Sequence, residues 1–204
     1  MQRDGILFVV SAPSAAGKST LIRGLKQTPD FVFSVSCTTR PPRADEQEGR
    51  EYHFISAEEF QRRADAGEFL EHAQVHAHRY GTPKAATLEL LRAGQDVLLD
   101  IDIAGARHIR ALEDPRIRSS LVDVFIMPPT TQELERRLRQ RATESEEQIQ
   151  LRLANAREEM KAWPEYRYCI LSGTPEEDLD RFRSIMKAER LRTSRLNLTQ
   201  RLAG

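Results

Sequence analysis

The chain has 204 residues, 30% of them charged, with 31 Lys plus Arg balancing 31 Asp plus Glu. That length accommodates one large domain with a full hydrophobic core, and zero net charge removes any global field that would draw the chain to nucleic acid or a membrane surface. Cys37 and Cys169 do not make a disulfide framework, and no apolar run is long enough to span a bilayer. The first residues enter a strand-like run at once, which leaves no room for a signal peptide, so a cytoplasmic location is the expectation.

The first predicted element is a strand, Gly5 to Ser11. It runs into Ala12-Pro13-Ser14-Ala15-Ala16-Gly17-Lys18-Ser19-Thr20, and a helical pattern follows with Leu21, Ile22 and Leu25 on one face. Strand, small-residue loop, Gly-Lys-Ser and helix is the layout of a phosphate-binding loop. Backbone N–H groups can converge on a phosphate only where side chains are small, and the helix adds the positive end of its dipole. Residues Ser11 to Thr20 thus form a candidate ATP cradle. Lys18 can reach the β- and γ-phosphates, and Ser19 can ligate Mg²⁺. Ala12 breaks the strict GxxxxGK[ST] pattern. A turn that merely carries a lysine is the competing reading, and the flanking strand and helix count against it.

Further strands are predicted at Phe31 to Ser36, Tyr52 to Ile55, Phe69 to Val75, Asp96 to Ile101, Leu121 to Met127 and Tyr166 to Leu171. Capping boxes at Ser56 with Glu59, Thr130 with Glu133 and Ser145 with Gln148 open three helices. The first ends near Gly67, and the last runs to about Lys161. Another helix runs from Pro83 to Gly94, and a long polar one from Glu176 to about Ser194. Gly5 to Ser11, Val97 to Ile101 and Leu121 to Met127 are apolar runs, which suit strands buried on both faces of a parallel sheet. Between residues 34 and 93 the strands are shorter and more polar, as in an inserted, partly antiparallel lobe. The expected fold is α/β, a phosphate-loop core of parallel sheet flanked by helices, with that mixed lobe added.

Arg40 and Arg43 are spaced by Pro41 and Pro42, which hold the segment extended. Rigidly placed guanidinium forks suit a phosphate; equally, they suit ion pairs with Asp45, Glu46 or Glu48 on a solvated loop. A second basic run, Arg136-Arg137-Leu138-Arg139-Gln140-Arg141, reads as a solvated helix face or a nucleic-acid patch, with Arg137 and Arg141 stacked at helical spacing. His72, His76 and His78 do not have a zinc-site pattern.

As a set, these motifs resemble the guanylate kinase family. Ser36, Thr38, Thr39, Arg40, Arg43, Glu46 and Tyr52 match its acceptor arm in type and spacing. Phe69-Leu70-Glu71, Tyr80-Gly81-Thr82 and Leu99-Asp100-Ile101-Asp102 follow in family order, and the likeness runs from about residue 5 to 195. The resemblance implies that Arg40, Arg43, Tyr52 and Tyr80 bind the phosphate of GMP, with Glu46 in the same arm. It implies that Ser36, Glu71, Thr82 and Asp102 read the guanine. One carboxylate at Glu71 can accept both N1–H and the exocyclic amine, a donor pair adenine lacks. Val97 to Asp100 resembles a Walker B strand, so Asp100 joins Ser19 on the metal side. Arg137, Arg141 and Arg152 match arginines of a mobile lid and, with Lys18 and Arg40, make up the catalytic set. Ala15, Gln140 and Ala142 stand where the family usually has glycine, and Ser172 where an Asn often touches adenine.

The resemblance therefore implies a single domain over residues 1–204: a core of 1–33 and 94–204, a GMP lobe of 34–93 and a lid of 137–152. It implies Mg²⁺-dependent transfer of the γ-phosphoryl of ATP to GMP and dGMP, with no nucleic-acid or membrane partner. Two alternatives stay open: an inactive guanylate-kinase-like interaction module, and a related kinase for a ribose bisphosphate.

Overall fold

The computed structural model describes residues 3–28, 30–75, 77–140 and 145–196. Its centre is β1 (Leu7–Ser11), buried at every position. Alternation along an extended chain sends Ile6, Phe8 and Val10 to one face and Leu7 and Val9 to the other. The first set packs on α1 (Lys18–Leu25) through Leu21, Ile22 and Leu25, and on the C-terminal α8 (Pro175–Arg190) through Phe182 and Met186. The second packs against Leu91 of α3 (Lys84–Arg92), Ile103, Ala106 and Ile109 of α4 (Ile103–Ala111), and Ile117 of α5 (Pro115–Ser120). Two apolar faces on one strand explain why its sequence is a run and not an alternation.

Five strands form the core sheet, in the order β2 (Val32–Phe33), β7 (Val97–Asp100), β1, β8 (Leu121–Met127), β9 (Tyr168–Leu171), and all pairings are parallel. A second sheet has the order β4 (Tyr52–Phe54), β3 (Ser36–Thr38), β6 (His78–Pro83), β5 (Phe69–Val75). There β3 runs parallel to β4, while β6 is antiparallel to both β3 and β5. Its small core is Cys37 and the Phe60–Phe69 stack, with Phe60 supplied by α2 (Ala57–Asp65) and ring centroids 4.8 Å apart. Helices α6 (Thr131–Gln140) and α7 (Glu146–Met160) share a separate cluster of Leu134, Leu138, Ile149, Leu153 and Ala156.

The mixed α/β class and the parallel core match expectation; several elements differ. The single strand expected over Phe31 to Ser36 is two: β2 belongs to the core sheet and β3 to the second, with Ser34 and Val35 crossing between them. Strand β6 was not predicted. Its Tyr-Gly-Thr-Pro stretch has no strand pattern and is extended because β3 and β5 both pair with it. Helix α5 was also missed; Asp114 caps it by accepting the Arg116 and Ile117 N–H groups. The final helix stops at Arg190, and Thr193–Arg195 is a separate 3₁₀ turn. Of the three capping boxes only Ser145–Gln148 is reciprocal. Ser56 and Thr130 do accept their N3 amides, but the Glu59 and Glu133 carboxylates turn to arginines instead.

One buried carboxylate ties the two ends of the described chain together. The side chain of Asp96 is fully buried, with Arg3 donating to it at 2.6 and 2.8 Å, Arg190 at 2.7 Å and the Ile6 amide at 2.9 Å. Arg3 and Leu196 form an antiparallel bridge beside it.

Candidate active site

The loop from Ala12 to Gly17 leaves the carboxyl end of β1 and turns into α1. Gly17 has φ +111° and Ala15 φ +64°; Ala15 is the non-glycine residue with positive φ among the described residues. A left-handed alanine costs about 1–2 kcal/mol relative to an unstrained one. Its methyl group packs on the α6–α7 cluster, which offsets part of that. Helix α1 begins with no capping side chain and no acidic residue in its first turn, so its amino end is open to an anion. Lys18 Nζ sits 2.8 Å from Asp100 Oδ1 and donates to the Ile101 carbonyl at 2.9 Å, at the carboxyl end of the neighbouring β7. Ser19 is exposed beside it.

Facing these groups is a cleft of about 300 Å³ between the two sheets, lined by Ser36, Tyr52, Thr82, Asp100 and Ile101 among others. Thr82 is buried and donates to Glu71 Oε1 at 2.6 Å. Glu71 is only 7% exposed, and burial pushes its carboxyl above the usual glutamate range, with nearby Asp102 adding to the effect. Asp102 caps α4 by accepting the Gly105 amide at 2.7 Å. A Cβ on Gly105 would lie 3.2 Å from Glu71 Oε2, so the missing side chain leaves that carboxylate its room.

Arg40 is the hub of the arm beside the cleft. It donates to Glu46 Oε1 at 2.7 Å and to Tyr80 Oη at 3.3 Å, and it lies over the Tyr52 ring. The Arg40 guanidinium holds Glu46 below the usual carboxylate range, helped by the Arg43 amide. The ion-pair reading of this arm therefore describes Arg40, whose Glu46 contact fixes its direction; the Arg43 side chain is exposed.

On the opposite side of the loop, α6 and α7 reach it with two arginines. Arg137 donates to the Ala16 carbonyl at 3.2 Å and to Ser172 Oγ at 3.1 Å, and its Nε is held by Glu133 at 2.8 Å. Arg136 and Arg137 together hold Glu133 at about 2. Arg152 donates to Ser14 Oγ at 2.6 Å. Ser172 in turn donates to buried Asp178 at 2.9 Å, and these residues with Ala15, Gly17 and Gln140 line a second cavity of about 300 Å³. Arg141, Ala142 and His76 lie outside the described residues.

The predicted residues thus gather around the carboxyl ends of β1 and β7, Lys18 and Asp100 at the centre, the Glu71–Thr82 pair and the Arg40 hub in the lobe, and Arg137 and Arg152 over the loop. Three participants were missed. Glu133 was legible as the residue four before Arg137. Glu159, seven after Arg152, accepts the Ser14 amide at 3.2 Å. Asp178 had no signal in the sequence.

The family model described as guanylate kinase matches residues 5–189. A guanylate kinase of Nitratidesulfovibrio vulgaris is 48% identical over 192 residues, covering 93% of this chain and 90% of that protein. One from Paramagnetospirillum magneticum is 43% identical over 196 residues, 96% and 90% of the two chains. The crystal structure of guanylate kinase from Anaplasma phagocytophilum superposes with a TM-score of 0.73 at 34% identity, over 96% of this chain and 91% of that one. The likeness takes in the phosphate loop, both sheets and the α6–α7 pair, and the chain belongs to the guanylate kinase family.

Proposed function

We propose that this guanylate kinase carries the γ-phosphoryl of ATP to GMP, giving ADP and GDP, across the cleft between its two sheets. Donor phosphates lie on residues Ala12 to Ser19 with Lys18 on the β- and γ-oxygens. The GMP phosphate lies on Arg40, Arg43, Tyr52 and Tyr80, with Glu46 aiming Arg40. Guanine is read by Glu71 and Thr82, with Ser36 and Asp102 beside them. The donor's base side falls in the second cavity, by Ser172 and Arg137.

The chemistry needs no general base. A GMP phosphate oxygen is already ionised at neutral pH, since a phosphate monoester has its second pKa near ~6. The obstacle is bringing two anions into line. Lys18, Arg40 and Arg43 supply charge from the fixed side, and Arg137, Arg141 and Arg152 from the lid. Positive charge placed where negative charge spreads in the transition state is worth more once closure excludes water. Lobe 34–93 and lid 137–152 are the parts we assign to that closure.

Ser19 and Asp100 fit Mg²⁺. Both are exposed hard oxygen donors beside the phosphate loop, and two protein oxygens suffice where phosphates and water complete an octahedron. When bound, the ion would neutralise charge on the β- and γ-phosphates.

The observation that carries this reading is that a phosphate loop with its Lys18–Asp100 pair and a buried carboxylate–hydroxyl pair, Glu71–Thr82, meet at one cleft. A coupled assay with GMP, dGMP, AMP and a ribose bisphosphate as acceptors tests it. Guanine nucleotides should be phosphorylated, and AMP at least about a hundredfold less well. Preference for the ribose bisphosphate, or no turnover with any acceptor, would overturn it. The described residues contain no helix long and apolar enough to cross a membrane.

A further inference from the structure

Glu159 belongs to none of the motifs above. It is the penultimate residue of α7, where a carboxylate meets the negative end of the helix dipole and weakens the helix. Its neighbour Glu158 is neutralised by Lys161, 2.6 Å away. Glu159 turns instead to the phosphate loop, and its Oε2 accepts the Ser14 N–H at 3.2 Å. Arg152, two helical turns earlier, donates to Ser14 Oγ at 2.6 Å. Helix α7 therefore grips one loop residue at both its backbone and its side chain. Amides of such a loop are what cradle a phosphate. A carboxylate oxygen on one of them occupies a place suited to an anionic ligand.

We infer that Glu159 is a positioning residue that covers the Ser14 amide in the nucleotide-free enzyme and is displaced when the donor's phosphates arrive. Displacement frees one of the two hydrogen bonds from α7 to Ser14, so occupancy of the loop sets where α7, and Arg152 with it, can go. The role rests on residues 12–18 being the phosphate site. It has a cost that can be measured: the carboxylate opposes every polyphosphate that enters.

Calorimetric titration of ADP and of inorganic tripolyphosphate into the wild type, Glu159→Gln and Glu159→Ala tests this, with Lys18→Ala beside them. Glutamine keeps the shape and a weaker acceptor but removes the charge; alanine removes both. Both ligands should bind about threefold to tenfold tighter to Glu159→Gln, and tighter still to Glu159→Ala. GMP affinity should not change, and melting temperature should not fall, since a misplaced helix charge is gone. A merely structural residue would lose stability and affinity when replaced, never gain affinity. ADP binding equal to or weaker than wild type in both variants overturns the role of Glu159. If Lys18→Ala also binds tripolyphosphate as tightly as wild type, the phosphate-loop assignment fails as well; if Lys18→Ala loses it, that assignment survives and only the inference falls.

Discussion

Glu71 costs the fold stability when it ionises. It is buried, and desolvation raises its carboxyl above the value it has in the unfolded chain. Between those two values the folded state holds a proton that the unfolded state has lost. The resulting stability is full below the ordinary glutamate value and is lost as pH rises from there through the raised folded value. Glu71→Gln removes that penalty while keeping an acceptor for Thr82. The ligand-free variant should therefore melt higher than wild type at pH 7, with the gap closing toward pH 4. Its KM for GMP should rise at least about tenfold, the worth of a charged hydrogen bond, with KM for ATP little changed. Thermal melts across pH 4 to 8 and initial rates check both halves. Lower stability at pH 7 would mean that the carboxylate is structural. The same trade is visible at Ala15, where a left-handed alanine is held in place by the helices packed on its methyl group.

At the level of elements, α6 and α7 stand on an apolar cluster of their own, apart from the clusters on either face of the core sheet. Leu153 is at the middle of it and 1% exposed. Leu153→Ala should cost about 2–5 kcal/mol there, but the loss should stay local. Amide exchange should quicken over residues 146–160 and leave β1, β7 and β8 protected. GMP affinity should persist while kcat falls, because Arg137 and Arg152 ride on these helices. Equal loss of protection in the sheet would show one cooperative core instead. The central strands were legible because burial on two faces writes itself as an unbroken apolar run, as in Leu7 to Val10. The helices were legible wherever a cap or stop residue marks an end. Strand β6 was not, since its extension comes from partners on both sides and not from its own residues. The break between β2 and β3 was hidden for a related reason: Ser34 and Val35 are unremarkable in extended chain, and only the competing sheets decide where one strand becomes two. In the site, Lys18 could be named from its loop motif and Arg40 from its proline-spaced pair with Arg43, while Asp100 and Glu71 came from the family resemblance. Glu159 could not be named, because it meets Ser14 only through tertiary packing, and Asp178 could not, because the turn that folds Ser172 and Gly173 back onto it carries no pattern.

The whole molecule is held at its edge by the Asp96 cluster. Two arginine side chains, Arg3 and Arg190 of α8, and the Ile6 amide just before β1 converge on the Asp96 carboxylate, which has no solvent access. A buried pair adds little when compared with apolar packing, but breaking one leaves uncompensated charge. Asp96→Ala should lower the unfolding free energy by about 3–5 kcal/mol, seen as a lower urea midpoint. Ile6 and Asp96 precede the amino ends of β1 and β7, whereas the cleft takes in Asp100 at the carboxyl end of β7, so kcat per folded molecule should hold. A matching loss of kcat would place the cluster in the active-site machinery. There is also a topological consequence. Arg3 and Leu196 are bridged strand-fashion, so the first and last described residues are neighbours in space. The order in which the polypeptide visits its elements is then separable from their arrangement. A short splice between Arg3 and Leu196, with a new opening at the exposed Glu113 between α4 and α5, would yield a circular permutant with both sheets, the loop and helices α6 and α7 in place. In such a molecule β1 and the loop after it would follow β8 and β9 along the chain, and would form late, against a sheet edge already waiting for them.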